Sequence, residues 1–264
     1  VNLLLLTSGE DSLDRRDPRA RHIEKVLRAR VGDTVRAGII GGGIGNARIT
    51  AIDNQRLRLE VDTDEKPRPL APLELLLGHP RPIVLQRMLR DLTAIGLQRI
   101  TIVPTDLGEK SYHRSNMWQR VHSLMIEGAS QGGTTRLPEL IRADSLEAAM
   151  GTLAASEVAR LVLHPDEPTG DGADSGVTRE SLSIGKRSAP GSPTLHQALA
   201  ERAAAPLALA IGSERGWSER ELQLLGRHGF ERVGLGPRVL RTETAATVAV
   251  WTATNYLHSL GSRP

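Results

Sequence analysis

The chain has 264 residues, 39% of them apolar and 25% charged, with a formal net charge of +3. That length suits one large domain or a small module joined to a medium one, and either buries a core without covalent staples. The absence of cysteine excludes a disulfide framework, a thiolate zinc site and a cysteine nucleophile. No apolar run approaches membrane-spanning length and Val1 to Leu6 is too short for a signal peptide, so a soluble cytoplasmic protein is expected.

Charge is unevenly spread. Eight Lys or Arg stand against three acids between Arg15 and Arg36, a local excess of five that exceeds the surplus of the whole chain. A basic end on a near-neutral body suits a module that tracks phosphate, and equally a solvated helix face. Aromatic residues make up 2% of the chain, which argues against a reader that stacks bases on aromatic platforms.

In chain order, Arg21 to Arg30 reads as a helix with Ile23, Val26 and Leu27 inward and Arg21, Lys25 and Arg28 outward. Thr34 to Ile40, Ala47 to Ile52 and Leu57 to Val61 are strand-like and suggest a small β-barrel. The glycines from Gly41 to Gly45 are read as a hairpin turn, because no helix pattern follows them. Lys66 to Pro72 is a proline-stiffened linker, which puts one domain at 1–70 and another at 73–264.

Beyond the linker the pattern alternates. Leu85, Met88, Leu89, Leu92 and Ile95 mark a helix closed by Gly96, followed by a strand at Arg99 to Val103, a helix at Ser115 to Gln131 and a strand at Leu137 to Ile141. Asp144 to Glu147 reads as a capping box, and Val158 to Leu163 and Leu207 to Ile211 as strands buried on both faces. A second capping box at Ser218 to Glu221, a strand to Leu235 and a helix after Thr242 complete an α/β pattern with a mostly parallel sheet. The Gly-, Ser-, Asp- and Pro-rich stretch 166–193 reads as a flexible insertion.

Open α/β sheets bind ligands beyond the carboxyl ends of their strands. Three segments meet that description: Leu163-His164-Pro165, Ile211 to Gly216, and Leu235 to Thr244. The last two lead through glycine into a helix start, where backbone amides are available to a polar ligand, although each alone is an ordinary β-loop-α junction. The eight His are scattered and no cluster has metal-ligand spacing, so no metal is expected.

Ile211 to Trp217, then Gly229-Phe230, then Leu235-Gly236-Pro237-Arg238-Val239-Leu240-Arg241-Thr242-Glu243-Thr244-Ala245-Ala246 resembles the C-terminal signature of the RsmE family. Glu127 to Pro138 and Arg21 to Asp33 resemble, more weakly, two upstream segments of that family. The resemblance implies a PUA-like barrel followed by a SPOUT-type α/β domain with a deep trefoil knot. It implies an S-adenosylmethionine-dependent enzyme that methylates N3 of a uridine in 16S ribosomal RNA, acting as a homodimer on that RNA or on the small subunit. Departures include Ser213 and Arg215 in the glycine loop, Ser130 and Thr134, Asp91 and Ala94, and the Leu77 to Pro82 segment. Arg215 and Ser213 keep a non-catalytic knotted RNA-binding protein open as an alternative, and the other changes keep open a SPOUT methyltransferase with a different RNA target.

Under this resemblance Arg241 is the catalytic candidate, a permanently charged group to stabilise a uracil anion; its other reading is a structural arginine that neutralises Glu243 or caps carbonyls in the knot. Leu163, Ile211, Leu235 and Leu240 would wall the adenine. Gly212, Gly216 and Gly236 would permit close approach, and His164, Glu214 and Thr242 complete the expected cofactor set. Arg21, His22, Lys25, Arg28 and Arg136 are the RNA-contact candidates, each also readable as an ordinary surface residue.

Overall fold

The computed structural model describes residues 2–153, 158–164, 192–202 and 206–261. The expected insertion at 166–193 lies outside the described residues, except for Ser192 and Pro193.

The N-terminal part is a curled five-stranded sheet made of β1 (Leu4–Leu6), β2 (Ser12–Asp14), β3 (Thr34–Ile39), β4 (Ile44–Ile52) and β5 (Arg56–Glu65), in the order β1-β3-β4-β5-β2. Its edge strands β1 and β2 were not foreseen. Both edges feed one core, in which Leu4, Leu6 and Leu13 pack with Val35, Ala37, Ala47, Ile49, Leu57 and Leu59. The β3–β4 connection is the expected hairpin, with Gly41 at a φ of 75°.

The expected Arg21–Arg30 helix is replaced by something shorter. Asp17 caps a single turn, α1 (Pro18–Arg21), by accepting from the Arg19 amide at 2.8 Å. The chain then widens into a π-helical turn over His22–Val26, with the Leu27 amide bonded to the His22 carbonyl at 3.0 Å. The wider turn moves residues out of 3.6-residue register. Ile23 is therefore buried while Val26 and Leu27, expected beside it, are 64% and 41% exposed.

The second sheet has six strands, all parallel, in the order β11-β9-β10-β6-β7-β8. They are β6 (Ala71–Gly78), β7 (Leu97–Val103), β8 (Glu139–Arg142), β9 (Ala159–Leu163), β10 (Leu207–Ile211) and β11 (Glu231–Val233). The central strand β6 begins inside the stretch read as a linker. Strand order reverses between β6 and β10, because β7 and β8 add on one side of β6 and β9 to β11 lie on the other.

Helices cover both faces. On one face α2 (Pro82–Ile95), α5 (Leu195–Ala200) and α7 (Thr242–Gly261) pack against Leu73, Leu75, Leu77, Leu207, Leu209 and Ile211. On the other, α4 (Leu146–Met150) and α6 (Glu219–Arg227) pack against Leu76, Val162, Ala208 and Ala210. Successive residues of β10 thus enter opposite cores, the physical reason for its unbroken apolar run.

Local details depart from expectation in two places. The helix expected from Ser115 starts as 3-10 turns at Lys110–Arg114 and Asn116–Arg120, and α3 spans Val121–Gly132. The cap of α4 is Ser145, accepting from the Ala148 amide at 3.0 Å, and not a reciprocal box opened by Asp144. The Ser218–Glu221 box forms as expected.

The two sheets meet at α3. The Leu3 amide donates to the Ser130 carbonyl at 2.9 Å and the Ser130 hydroxyl to the Leu3 carbonyl at 2.6 Å. Thr135 Oγ1 donates to the Gly42 carbonyl at 2.6 Å, and the Gly41 amide to the Thr135 carbonyl at 2.8 Å. Ser130, a departure from the family pattern, serves here as a joint between the two parts.

Candidate functional site

The parallel sheet brings the three expected strand-end segments together. β9 ends at Leu163, β10 at Ile211, and the chain after β11 passes Leu235 before entering α7. Their termini line one cleft with about 790 Å³ of space between atoms, part of it open to solvent. Every residue expected to bind the cofactor lines this cleft: Leu163, His164, Ile211, Gly212, Glu214, Gly216, Leu235, Gly236, Leu240 and Thr242. Ser213, Arg215, Arg238, Val239 and Ala245 line it too and were not expected in that role. All but Ala245 sit between residues already marked, so continuity of the segments was the available signal.

The loop after β10 is shaped by its backbone. The Gly216 amide donates to the Ser213 carbonyl at 2.8 Å, closing a tight turn with Gly216 at a φ of 74°. A Cβ on Gly212 would lie 2.6 Å from the Gly216 carbonyl carbon, so a side chain there would force the turn open. A Cβ on Gly216 or Gly236 would instead meet no protein atom within 4 Å, which leaves room beside two residues of the cleft wall. Glu214 is exposed and its Oε1 accepts the Arg81 amide at 2.9 Å, tying the loop to the start of α2. Arg215, whose bulk raised the non-catalytic alternative, is exposed and reaches the Leu107 carbonyl at 3.5 Å.

Below the loop, Glu221 anchors the start of α6. It is 1% exposed, accepting the Ser218 amide at 2.7 Å and the Asp106 amide at 2.9 Å. Burial pushes its carboxyl above the usual range in spite of these bonds. Asp106 in turn holds Arg220 at 2.7 Å, and that hydrogen bond keeps the Asp106 carboxyl below its usual value.

Arg241 is placed differently from the cofactor set. It is exposed and lies between two lining residues, Leu240 and Thr242, without lining the cleft. Its carbonyl accepts the Ala245 amide at 2.8 Å at the head of α7. Among the described residues its guanidinium has no hydrogen-bond or ion-pair partner, and no pair with Glu243 forms. The structural reading that rested on Glu243 therefore lacks its contact.

The RNA candidates divide into two places. Arg21, His22, Lys25 and Arg28 are all exposed on the α1 and π-turn segment. Among the described residues the side chains of Arg21, Lys25 and Arg28 have no ion-pair partner. Arg28 adopts a φ of 55°, the one non-glycine residue with positive φ among the described residues. Arg136 is exposed after α3, with its amide on Thr134 Oγ1 at 3.1 Å. No group of three or more His, Asp or Glu among the described residues is arranged to hold a metal ion, and no described helix is long and apolar enough to cross a membrane.

Residues 66–254 match the RNA methyltransferase domain family, and residues 16–62 match the RNA methyltransferase PUA domain. The chain is 34% identical over 244 residues to the ribosomal RNA small subunit methyltransferase E of Treponema pallidum, covering 90% of this chain and 82% of that protein. The fold is shared with a probable rRNA-methyltransferase from Porphyromonas gingivalis, at a TM-score of 0.72 and 21% identity over 98% of both chains. It is shared also with the ribosomal RNA small subunit methyltransferase E of Neisseria gonorrhoeae bound to S-adenosyl methionine, at a TM-score of 0.67 and 22% identity over 95% of both chains. With one family covering most of its length and a relative this similar, the chain belongs to the ribosomal RNA small subunit methyltransferase E family.

Proposed function

We propose that the protein transfers a methyl group from S-adenosylmethionine to N3 of a uridine in 16S ribosomal RNA. One observation carries this reading. Ten residues from three separated strand-end segments line a single cleft, at the sheet end where open α/β folds bind ligands. The solved relative from Neisseria gonorrhoeae, which shares the fold, holds the same cofactor.

The donor set fits that cofactor. Leu163, Ile211, Leu235 and Leu240 offer apolar walls for a purine, while His164, Glu214 and Thr242 offer polar groups and Gly216 and Gly236 leave space beside the backbone. When bound, S-adenosylmethionine supplies an electrophilic methyl group on a sulfonium. The protein's part is to orient the uracil so that its N3 lone pair is in line, and to favour loss of the N3 proton. Arg241 is proposed to promote that proton loss, because its guanidinium, exposed and without a partner among the described residues, would hold O2 or O4 and stabilise the uracil anion.

RNA is proposed to lie along Arg21, His22, Lys25 and Arg28, with Arg136 as a further contact. Support comes from Arg21, Lys25 and Arg28, exposed and without ion-pair partners among the described residues, and from the left-handed backbone of Arg28, since strained residues cluster at binding sites. The division into domains at 1–70 and 73–264, the deep trefoil knot and a cytoplasmic location belong to the same proposal. So does the homodimer, supported by the exposed Val248 and Trp251 on α7, 42% and 56% exposed, the helix that follows Val239 and Leu240 of the cleft in the chain. Sedimentation should show a dimer that Trp251→Glu converts to monomer; a wild-type monomer at micromolar concentration would contradict it.

The reaction itself is tested by incubating the protein and labelled S-adenosylmethionine with small ribosomal subunits or naked 16S RNA, then analysing nucleosides. Label in N3-methyluridine is expected. Label in another nucleoside would reassign the target, and none on either substrate would remove the activity.

A further inference from the structure

Two loops outside the cleft carry part of its geometry. β6 ends at Gly78, where strand order reverses, and a Cβ on Gly78 would stand 2.6 Å from the Ser213 amide nitrogen. Glycine there lets the loop after β10 lie directly on the end of β6. Thr105 Oγ1 adds a contact to Ser213 Oγ at 3.2 Å, and the Arg81 amide donates to Glu214 Oε1 at 2.9 Å.

The Arg81 N–H belongs to the same peptide unit as the Pro80 carbonyl. That unit is trans and planar, so its N–H and C=O point in opposite directions and fixing one fixes the other. The carbonyl end is held by His79, whose Nδ1 lies 2.7 Å from the Pro80 oxygen. A carbonyl oxygen only accepts, so Nδ1 is the donor and the tautomer is set. His79 is 3% exposed, and its own amide donates to the Val103 carbonyl at 2.7 Å. Its ring is packed by Tyr112, His113 and Trp118, with centroids 5.8, 4.9 and 5.5 Å away. Burial depresses its pKa to about 4, helped by the charges of His113 and Arg142, so the ring is neutral near pH 7.

We infer that His79 is a positioning residue for the cofactor loop, clamping the carbonyl end of the Pro80–Arg81 peptide whose N–H end holds Glu214. The inference rests on the cleft being the S-adenosylmethionine site. His79 does not line that cleft, so it acts through the peptide and not by contact with the cofactor.

Calorimetric titration of the full chain with S-adenosylmethionine tests the clamp through the shape of the replacement. His79→Asn puts an amide nitrogen where Nδ1 stands, whereas His79→Gln puts it one bond too far. His79→Asn is expected to bind the cofactor like wild type, and His79→Gln about tenfold more weakly, the scale of one lost hydrogen bond. The rate at saturating cofactor should stay within about twofold, because the loss falls on binding and not on the reacting atoms. Arg81→Pro removes the N–H end of the clamp at a residue whose φ of −52° proline can adopt, and should weaken binding to a similar extent, whereas Arg81→Ala, which loses the side chain but keeps the N–H, should bind like wild type. The double variant His79→Gln/Glu214→Ala should bind no worse than Glu214→Ala alone. Wild-type affinity in folded His79→Gln or Arg81→Pro, or additive losses in the double variant, would overturn the inference. Failure of wild type itself to bind would instead overturn the reading of the cleft, so the two failures are distinguishable.

Discussion

The cleft at the strand ends and the basic N-terminal segment are built by opposite means. The cleft is made of strand ends: Ile211, Gly212 and Ser213 are buried, and their positions follow from parallel pairing of β10 with β9 and β6. The N-terminal segment is made of display: Arg21, His22 and Lys25 stand exposed on one helical turn and one π turn, with Arg28 exposed just beyond them, and from this segment the core takes Ala20 and Ile23. A ligand of fixed shape wants the first construction, because preorganised backbone leaves little to order on binding. A long polyanion wants the second, because attraction to phosphate depends on the number of accessible charges more than on their exact placement. Arg241 sits between the two types, next in sequence to cleft residues yet exposed and without a partner among the described residues.

That contrast can be broken most severely at Arg241. If its charge stabilises a uracil anion, Arg241→Ala should lower the methylation rate about 10²–10³-fold, the range seen when one stabilising donor is removed from a transition state. Cofactor affinity should be nearly unchanged because the guanidinium does not line the cleft. Retained turnover in a single-turnover assay would take Arg241 out of the mechanism; lost cofactor binding would make it part of the cleft after all.

The next effect falls on the basic segment. Replacing Arg21, Lys25 and Arg28 together with Ala should weaken RNA binding and reduce the slope of log affinity against log salt by roughly 2 to 3, while leaving cofactor titration as in wild type. An unchanged slope would mean that these cations are solvated and not on phosphate. Stability should barely move, since the three side chains have no partners among the described residues.

The smallest effect is on the dependence of stability on pH. The unfolded chain protonates His79 near 6.5, whereas the folded chain holds it neutral down to about 4. Below pH 6.5 the unfolded state therefore binds the extra proton, and stability falls as pH drops toward 4. Paired carboxylates such as Asp106, whose folded pKa is lowered, lose their contribution at still lower pH. Urea midpoints of wild type and His79→Asn should converge or cross as pH falls from 6.5 toward 4, and run parallel above 7. Parallel curves throughout would show that His79 is not held neutral.

How much of this was legible varies with the physics of each element. β10 was readable to the residue because burial on both faces leaves an unbroken apolar run ending at Gly212. The Ser218–Glu221 cap was readable because its signal is local. β6 was hidden, although it is central: Pro72 lies in it and Glu74 is 7% exposed, both marks against a buried strand. A register shift between Ala71 and Glu74 accommodates the proline, and Arg99 pairs with Glu74 at 3.0 Å. The π turn at His22–Val26 was unreadable, since sequence periodicity assumes a regular 3.6-residue turn. The members of the cleft could be named from strand-end segments and the family resemblance. The clamp at His79 could not, because it depends on which way a single peptide plane faces.

The most direct test of the central claim is calorimetric titration of the protein with S-adenosylmethionine, with Gly212→Ala as the control. The account predicts one site per chain, and loss of that site in the variant, whose Cβ would press on the Gly216 carbonyl carbon at 2.6 Å. Absence of binding to the folded wild-type protein, or equal binding by Gly212→Ala, would contradict the assignment of the cleft.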